Sequence, residues 1–119
     1  MDELDRLVLE EGTDDWVPLV AIAGFARQLG HHSAVQVQNA VLQSLKRMAE
    51  GGLIEIGTVD HSGFHAWTTP VGESLSKLEE AFRSESAAQW DFLAWTCNTE
   101  EGDRQATSSV NRRVSTQED

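Results

Sequence analysis

Gln36, Asn39, Gln43 and Arg47 follow one another at intervals of three and four residues, the spacing that brings side chains to one side of a helix. Asn and Gln amides can pair bidentately with adenine and an Arg guanidinium with guanine, so this row has the groups to read base edges. Arg27 and Lys46 would supply cations for backbone phosphates, and residues 16–49 around them contain no Asp or Glu. The same row equally describes the polar side that any amphipathic helix turns to water.

Other chemistry finds less support. His31, His32, His61, His65 and Cys97 are all metal-competent types. His61 and His65 are four apart but fall in a hairpin-like stretch, which gives them no common helical face, and neither a CxxC nor an HExxH arrangement occurs. Cys97 has no adjacent Lys, Arg or His to depress its pKa. No Gly-x-Ser-x-Gly elbow, phosphate-binding loop or dinucleotide fingerprint is present. The expectation is therefore a chain with no catalytic residue, no metal site and no cofactor.

Aromatic residues are the remaining resource, with four Trp and four Phe but no Tyr. Trp16 and Trp67 read as core anchors for a helix and a hairpin. Trp90, Phe92 and Trp95 cluster beside a polar tail. They are candidates for a protein interface, where exposed Trp is a favoured hot spot, or for a plug over the domain's own core. Both hold if the plug completes a homodimer.

The elements that must position these residues begin with charge. The chain has 119 residues, room for one domain, and a net charge of −11. Residues 1–15 hold seven acids and one Arg, residues 50–98 hold eight acids with Lys77 and Arg83, and the acid-free window lies between. Such a field disfavours nucleic acid and favours a basic partner. No apolar run is long enough to span a membrane, the acidic start is unlike a secretory signal, and one cysteine allows no intrachain disulfide, so a cytoplasmic location is expected.

Leu4, Leu7 and Val8 predict a first helix over 2–10, stopped by Glu11-Gly12-Thr13. Asp14-Asp15 predicts an N-cap for a second helix running from Trp16 to Gly30, with Pro18 in its first turn. Gly24 inside it predicts the close approach of another helix. Ser33 caps a third helix, which carries Gln38, Val41, Leu42, Leu45, Met48 and Ala49 along one side and ends at Gly51-Gly52. Residues 53–56 and 64–68 predict a hairpin, with a turn over 57–63 that holds Asp60 and no Lys or Arg. Thr69-Pro70 opens a last helix with Leu75, Leu78 and Phe82 on one face. The prediction is a mainly α domain with a small β-hairpin over 1–98 and a polar, disordered tail over 99–119.

Helix, turn, helix, hairpin, helix resembles the winged helix-turn-helix superfamily over about residues 16–83, in particular its MarR- and PadR-like domains. The residues that carry the resemblance are Val41 to Ile56, where paired leucines precede Gly52-Leu53-Ile54, and Trp67 to Leu75, which is similar to the family's Leu-Thr-x-x-Gly return into a terminal helix. The resemblance implies DNA binding as the commonest activity, through the helix ending near Glu50 and the wing.

Two binding functions follow as expectations. The first is a non-enzymatic winged-helix module acting by protein–protein contact, with a basic partner or as a homodimer. The second is a sequence-specific DNA-binding regulator using Arg27, Gln36, Asn39, Gln43, Lys46 and Arg47.

Overall fold

The computed structural model describes residues 2–84 and 92–107. Helix α1 (Glu3–Gly12) is capped by the Asp2 carboxylate, which accepts from the Asp5 amide. Its buried residues are Leu4, Asp5, Val8 and Leu9, so Leu9 replaces the expected Leu7 and a carboxylate goes inward with them.

Helix α2 spans Leu19–Gln28, three residues later than the apolar spacing predicts. Proline explains the difference. The residue before a proline is driven to extended backbone, so Val17 cannot start a helix. Val17–Pro18 instead form a short strand, β1, and the Leu19 amide donates to the Ala94 carbonyl. Asp15 caps no helix; its side chain accepts from the Trp16 amide. Gly24 meets no close neighbour either, since a Cβ there would have nothing within 4 Å.

Helix α3 (Ala34–Glu50) starts where Ser33 predicts and ends at Gly51-Gly52, with Gly52 at a φ of +73°. Val37, Val41, Ser44, Leu45 and Met48 are buried. Strands β2 (Ile54–Asp60) and β3 (Gly63–Ala66) form the hairpin, but its turn is only His61-Ser62. Gly57 therefore lies inside β2 opposite Ala66 rather than in a loop. Helix α4 (Val71–Ser84) buries Leu78 and Phe82, with Leu75 half-buried beside them.

The main surprise is strand β4 (Trp95–Asn98). It pairs antiparallel with β1 on one side and with β2 on the other, giving a four-stranded antiparallel sheet in the order β1-β4-β2-β3. The fold is thus a mixed α/β domain, mostly helical, and the hairpin is half of a larger sheet. Residues 100–107, predicted as tail, form a helix, α5, with Gly102 and Ala106 buried. A Cβ on Gly102 would overlap the Leu53 carbonyl, so only glycine lets α5 dock this closely. The rest of the expected tail, 108–119, and Trp90 lie outside the described residues.

The core gathers Val8, Leu19, Ile22, Val41, Leu45, Met48 and Leu78 between the helices and one face of the sheet. Register sorts the strands. Val17, Ile54, Ile56 and Thr96 are buried, so period-two alternation sends Glu55, Trp95 and Cys97 to the opposite face.

Candidate functional site

The polar side of α3 is displayed as the spacing predicts, with Gln36, Asn39, Gln43, Lys46 and Arg47 all exposed. Arg27 is exposed at the end of α2. These residues are not all free to act, however. Gln36 belongs to a capping box: its amide donates to Ser33 Oγ at 3.1 Å, and its Oε1 accepts from the Ser33 and His32 amides at 3.4 and 3.2 Å.

Arg47 is held more firmly. Its Nε donates to Asp5 Oδ2 at 3.0 Å and its Nη2 to Asp5 Oδ1 at 3.0 Å, while Nη2 also reaches Asp2 Oδ2 at 2.7 Å. Ser44 Oγ donates to the same Asp5 carboxylate. The Asp5 side chain is 2% exposed, against 41% for Arg47. Burial alone would raise the Asp5 pKa, but the hydrogen bonds from Arg47 and Ser44 and the guanidinium charge outweigh it, and the carboxyl titrates below its usual range. The hydrogen bond to Asp5 correspondingly raises the pKa of Arg47.

Helix α1 thus lays carboxylates against the side of α3 expected to read bases. Between them lies a cleft of about 350 Å³ whose walls include Asp2, Glu3, His31, Gln43 and Arg47. Asn39, Gln43 and Lys46 remain on the outer side. Neither Arg27 nor Lys46 forms an ion pair among the described residues.

At the hairpin tip Asp60 Oδ1 accepts from the Ser62 amide at 2.8 Å and from Ser62 Oγ at 2.7 Å, and it lies 3.1 Å from His65 Nε2. The Ser62 bonds first, then the contact with His65, lower the Asp60 pKa to about 2. The tip therefore presents a fixed negative charge. Among the described residues no three His, Cys, Asp or Glu side chains are grouped to hold a metal ion.

Of the interface candidates, Phe92 and Trp95 pack together with ring centroids 5.9 Å apart, and Phe92 is 60% exposed. Trp95 lies on β4 and so is part of the sheet, while its neighbours Ala94 and Thr96 enter the core. Trp16 is no core anchor. It is 37% exposed and packs on Phe64 with centroids 6.2 Å apart. Trp67 is half-buried, with Lys77 Nζ 4.8 Å from its ring centre.

Cys97, on the same sheet face as Glu55, is partly buried. Burial first, then the charges of Glu55 and Asp103, push its thiol pKa up, while a contact with Trp16 acts the other way. That environment keeps the sulfur protonated at neutral pH, the opposite of an activated nucleophile.

The sequence reading missed Asp2 and Asp5 as partners of Arg47. An acid in a short amphipathic helix carries no local sign that it will face inward. No protein-family model, curated protein or solved structure matches the chain.

Proposed function

We propose that this chain is a non-enzymatic binding module of winged helix-turn-helix type that acts through protein–protein contacts with a basic partner. In favour of the winged-helix reading is the element order: α2, a turn, α3, the β2–β3 hairpin and α4 follow in sequence, and α3 keeps a polar row facing out. Such an architecture hosts many functions, so the choice among them rests on the surface.

One observation carries that choice. Arg47, the one Arg in the base-reading row, is bound to Asp5 and Asp2. Phosphate binding needs cations, and much of non-specific DNA affinity comes from them. Here the Arg of that row is already paired with two carboxylates, and the hairpin tip offers Asp60 where a phosphate would need Lys or Arg. A net charge of −11 attracts a basic protein and speeds its encounter.

The test is capture from a cell lysate on the immobilised full chain, run beside selection from a pool of genomic duplex fragments. The reading predicts a stoichiometric basic protein released by high salt, and no enriched duplex. Recovery of this chain alone as a self-associated species, or enrichment of one duplex sequence, would reject it. The second outcome would support a sequence-specific DNA-binding regulator, for which the exposed Asn39, Gln43, Lys46 and Arg27 speak.

A further inference from the structure

A groove of about 290 Å³ runs between α3 and α4. Leu42 and Lys46 stand on its α3 wall, and Gly72, Leu75, Ser76 and Glu79 on its α4 wall. Leu42 and Leu75 are only half-buried against the core. Val35, 65% exposed, lies seven residues before Leu42 on the same side of α3 and extends the apolar surface. On α4 a Cβ at Gly72 would meet nothing within 4 Å, and the exposed Ser76 follows one turn later. That side of α4 has room for a helix to approach.

Charge decides what fits there. Among the described residues the groove walls carry two charges, Lys46 on one helix and Glu79 on the other, opposite in sign. Lys46 forms no ion pair among the described residues. Glu79 accepts from Arg83 Nη2 through Oε1 at 2.5 Å, in a pair whose side chains are 53% and 73% exposed. The chain has a net charge of −11, yet α3 and α4 together carry four cations and four acids. This face therefore holds no net charge to repel a second copy. A two-fold axis along the groove lays α3 of each copy on α4 of the other. Lys46 of each copy then stands against Glu79 of the other.

We propose that a second copy of this chain docks on the groove, giving a two-fold dimer held by a bundle of four helices. Val35, Leu42 and Leu75 leave water in the contact, and the reciprocal Lys46–Glu79 pairs set its register. Helices of 17 and 14 residues are about 25 and 21 Å long, so the face is small for a dimer and the association is reversible. The contact covers Gln43 and Lys46, and it leaves α1 and the outer face of the sheet open to a basic partner. It goes beyond the basic-partner reading and does not depend on it.

Sedimentation equilibrium of the full chain from about 1 to about 200 µM tests the dimer, with circular dichroism to confirm that each variant is folded. The unaltered chain should pass from monomer to dimer across that range. Lys46→Glu and Glu79→Lys should each weaken association at least about tenfold, because each sets like charges face to face twice. The double variant Lys46→Glu/Glu79→Lys restores opposite signs and should return to within about threefold of the unaltered chain. Ser76→Arg, which crowds the groove from an exposed position, should weaken association as strongly as the single charge variants. Glu55→Lys makes the same change of charge on the opposite face of the sheet and should alter association less than about threefold. Monomer alone across the whole range would overturn the proposal. A dimer that neither single charge variant weakens, or a loss that the double variant fails to recover, would overturn it too.

Discussion

Arg47 of α3 and Asp5 of α1 form a two-pronged ion pair, with Nε and Nη2 each 3.0 Å from one oxygen of a carboxylate that is almost wholly buried. The pair joins the helix expected to read a partner to the acidic N-terminal helix. It adds a polar tie to the apolar docking of α1 through Leu4, Val8 and Leu9, and it pairs one of the cations that α3 displays.

Removing one partner leaves the other uncompensated. Arg47→Ala is expected to cost about 2–3 kcal/mol in urea unfolding, less than the roughly 3–5 kcal/mol of a fully buried pair because Arg47 is 41% exposed. Asp5→Asn should cost a similar amount. The double variant should cost clearly less than the two single losses added together, and strict additivity would mean that the contact contributes nothing.

Acid should weaken the fold through the same carboxylate. The folded-state pKa of Asp5 lies below the ordinary 3.8, so between those values the unfolded chain binds more protons and stability rises with pH. The contribution is complete above about pH 5 and disappears as pH falls through the folded value. Asp60, lowered to about 2, acts in the same window and direction. The urea midpoint should fall on going from pH 5 to pH 2, and less steeply for Asp5→Asn. Parallel slopes for the two proteins would count against this origin of the pH dependence.

How far the sequence could be read is clearest in α3. Its start is encoded locally, because Ser33 and Gln36 form a reciprocal cap and seventeen residues of amphipathic pattern follow. Strand β4 has no such local code. Trp95–Asn98 is four residues long, and its place between β1 and β2 depends on partners far away in the chain. Helix α5 docks through the small residues Gly102 and Ala106, which leave no apolar stripe to read. At Trp16 the apolar spacing pointed to a helix, while Pro18 imposed extended backbone on the residue before it. Trp16 therefore precedes α2 and packs on Phe64 of the hairpin instead of entering the core.

Two glycines should respond in opposite directions. Gly24 sits inside α2 with free space around it, so Gly24→Ala should stabilise by about 0.5–1 kcal/mol. Gly102→Ala forces a methyl group onto the Leu53 backbone and should destabilise by at least about 1–3 kcal/mol. Thermal melts of the two variants check both signs, and a destabilised Gly24→Ala would restore the close approach that its position in the sequence suggests.

Cys97 should react slowly. With its pKa raised by burial and by Glu55 and Asp103, less thiolate is present at pH 7.5 than in the unfolded chain. Alkylation by iodoacetamide is expected to be about tenfold slower in the folded protein than in urea. A faster folded-state rate would show an activated thiol and reopen the enzymatic question.

The central claim is that the Arg47 guanidinium serves α1 and not a nucleic acid. Gel-shift titration of the unaltered chain and of Arg47→Ala with genomic duplex fragments at low salt tests it most directly. The predicted result is no sequence-selective complex with either protein. A selective complex formed by the unaltered chain and abolished in Arg47→Ala would contradict it.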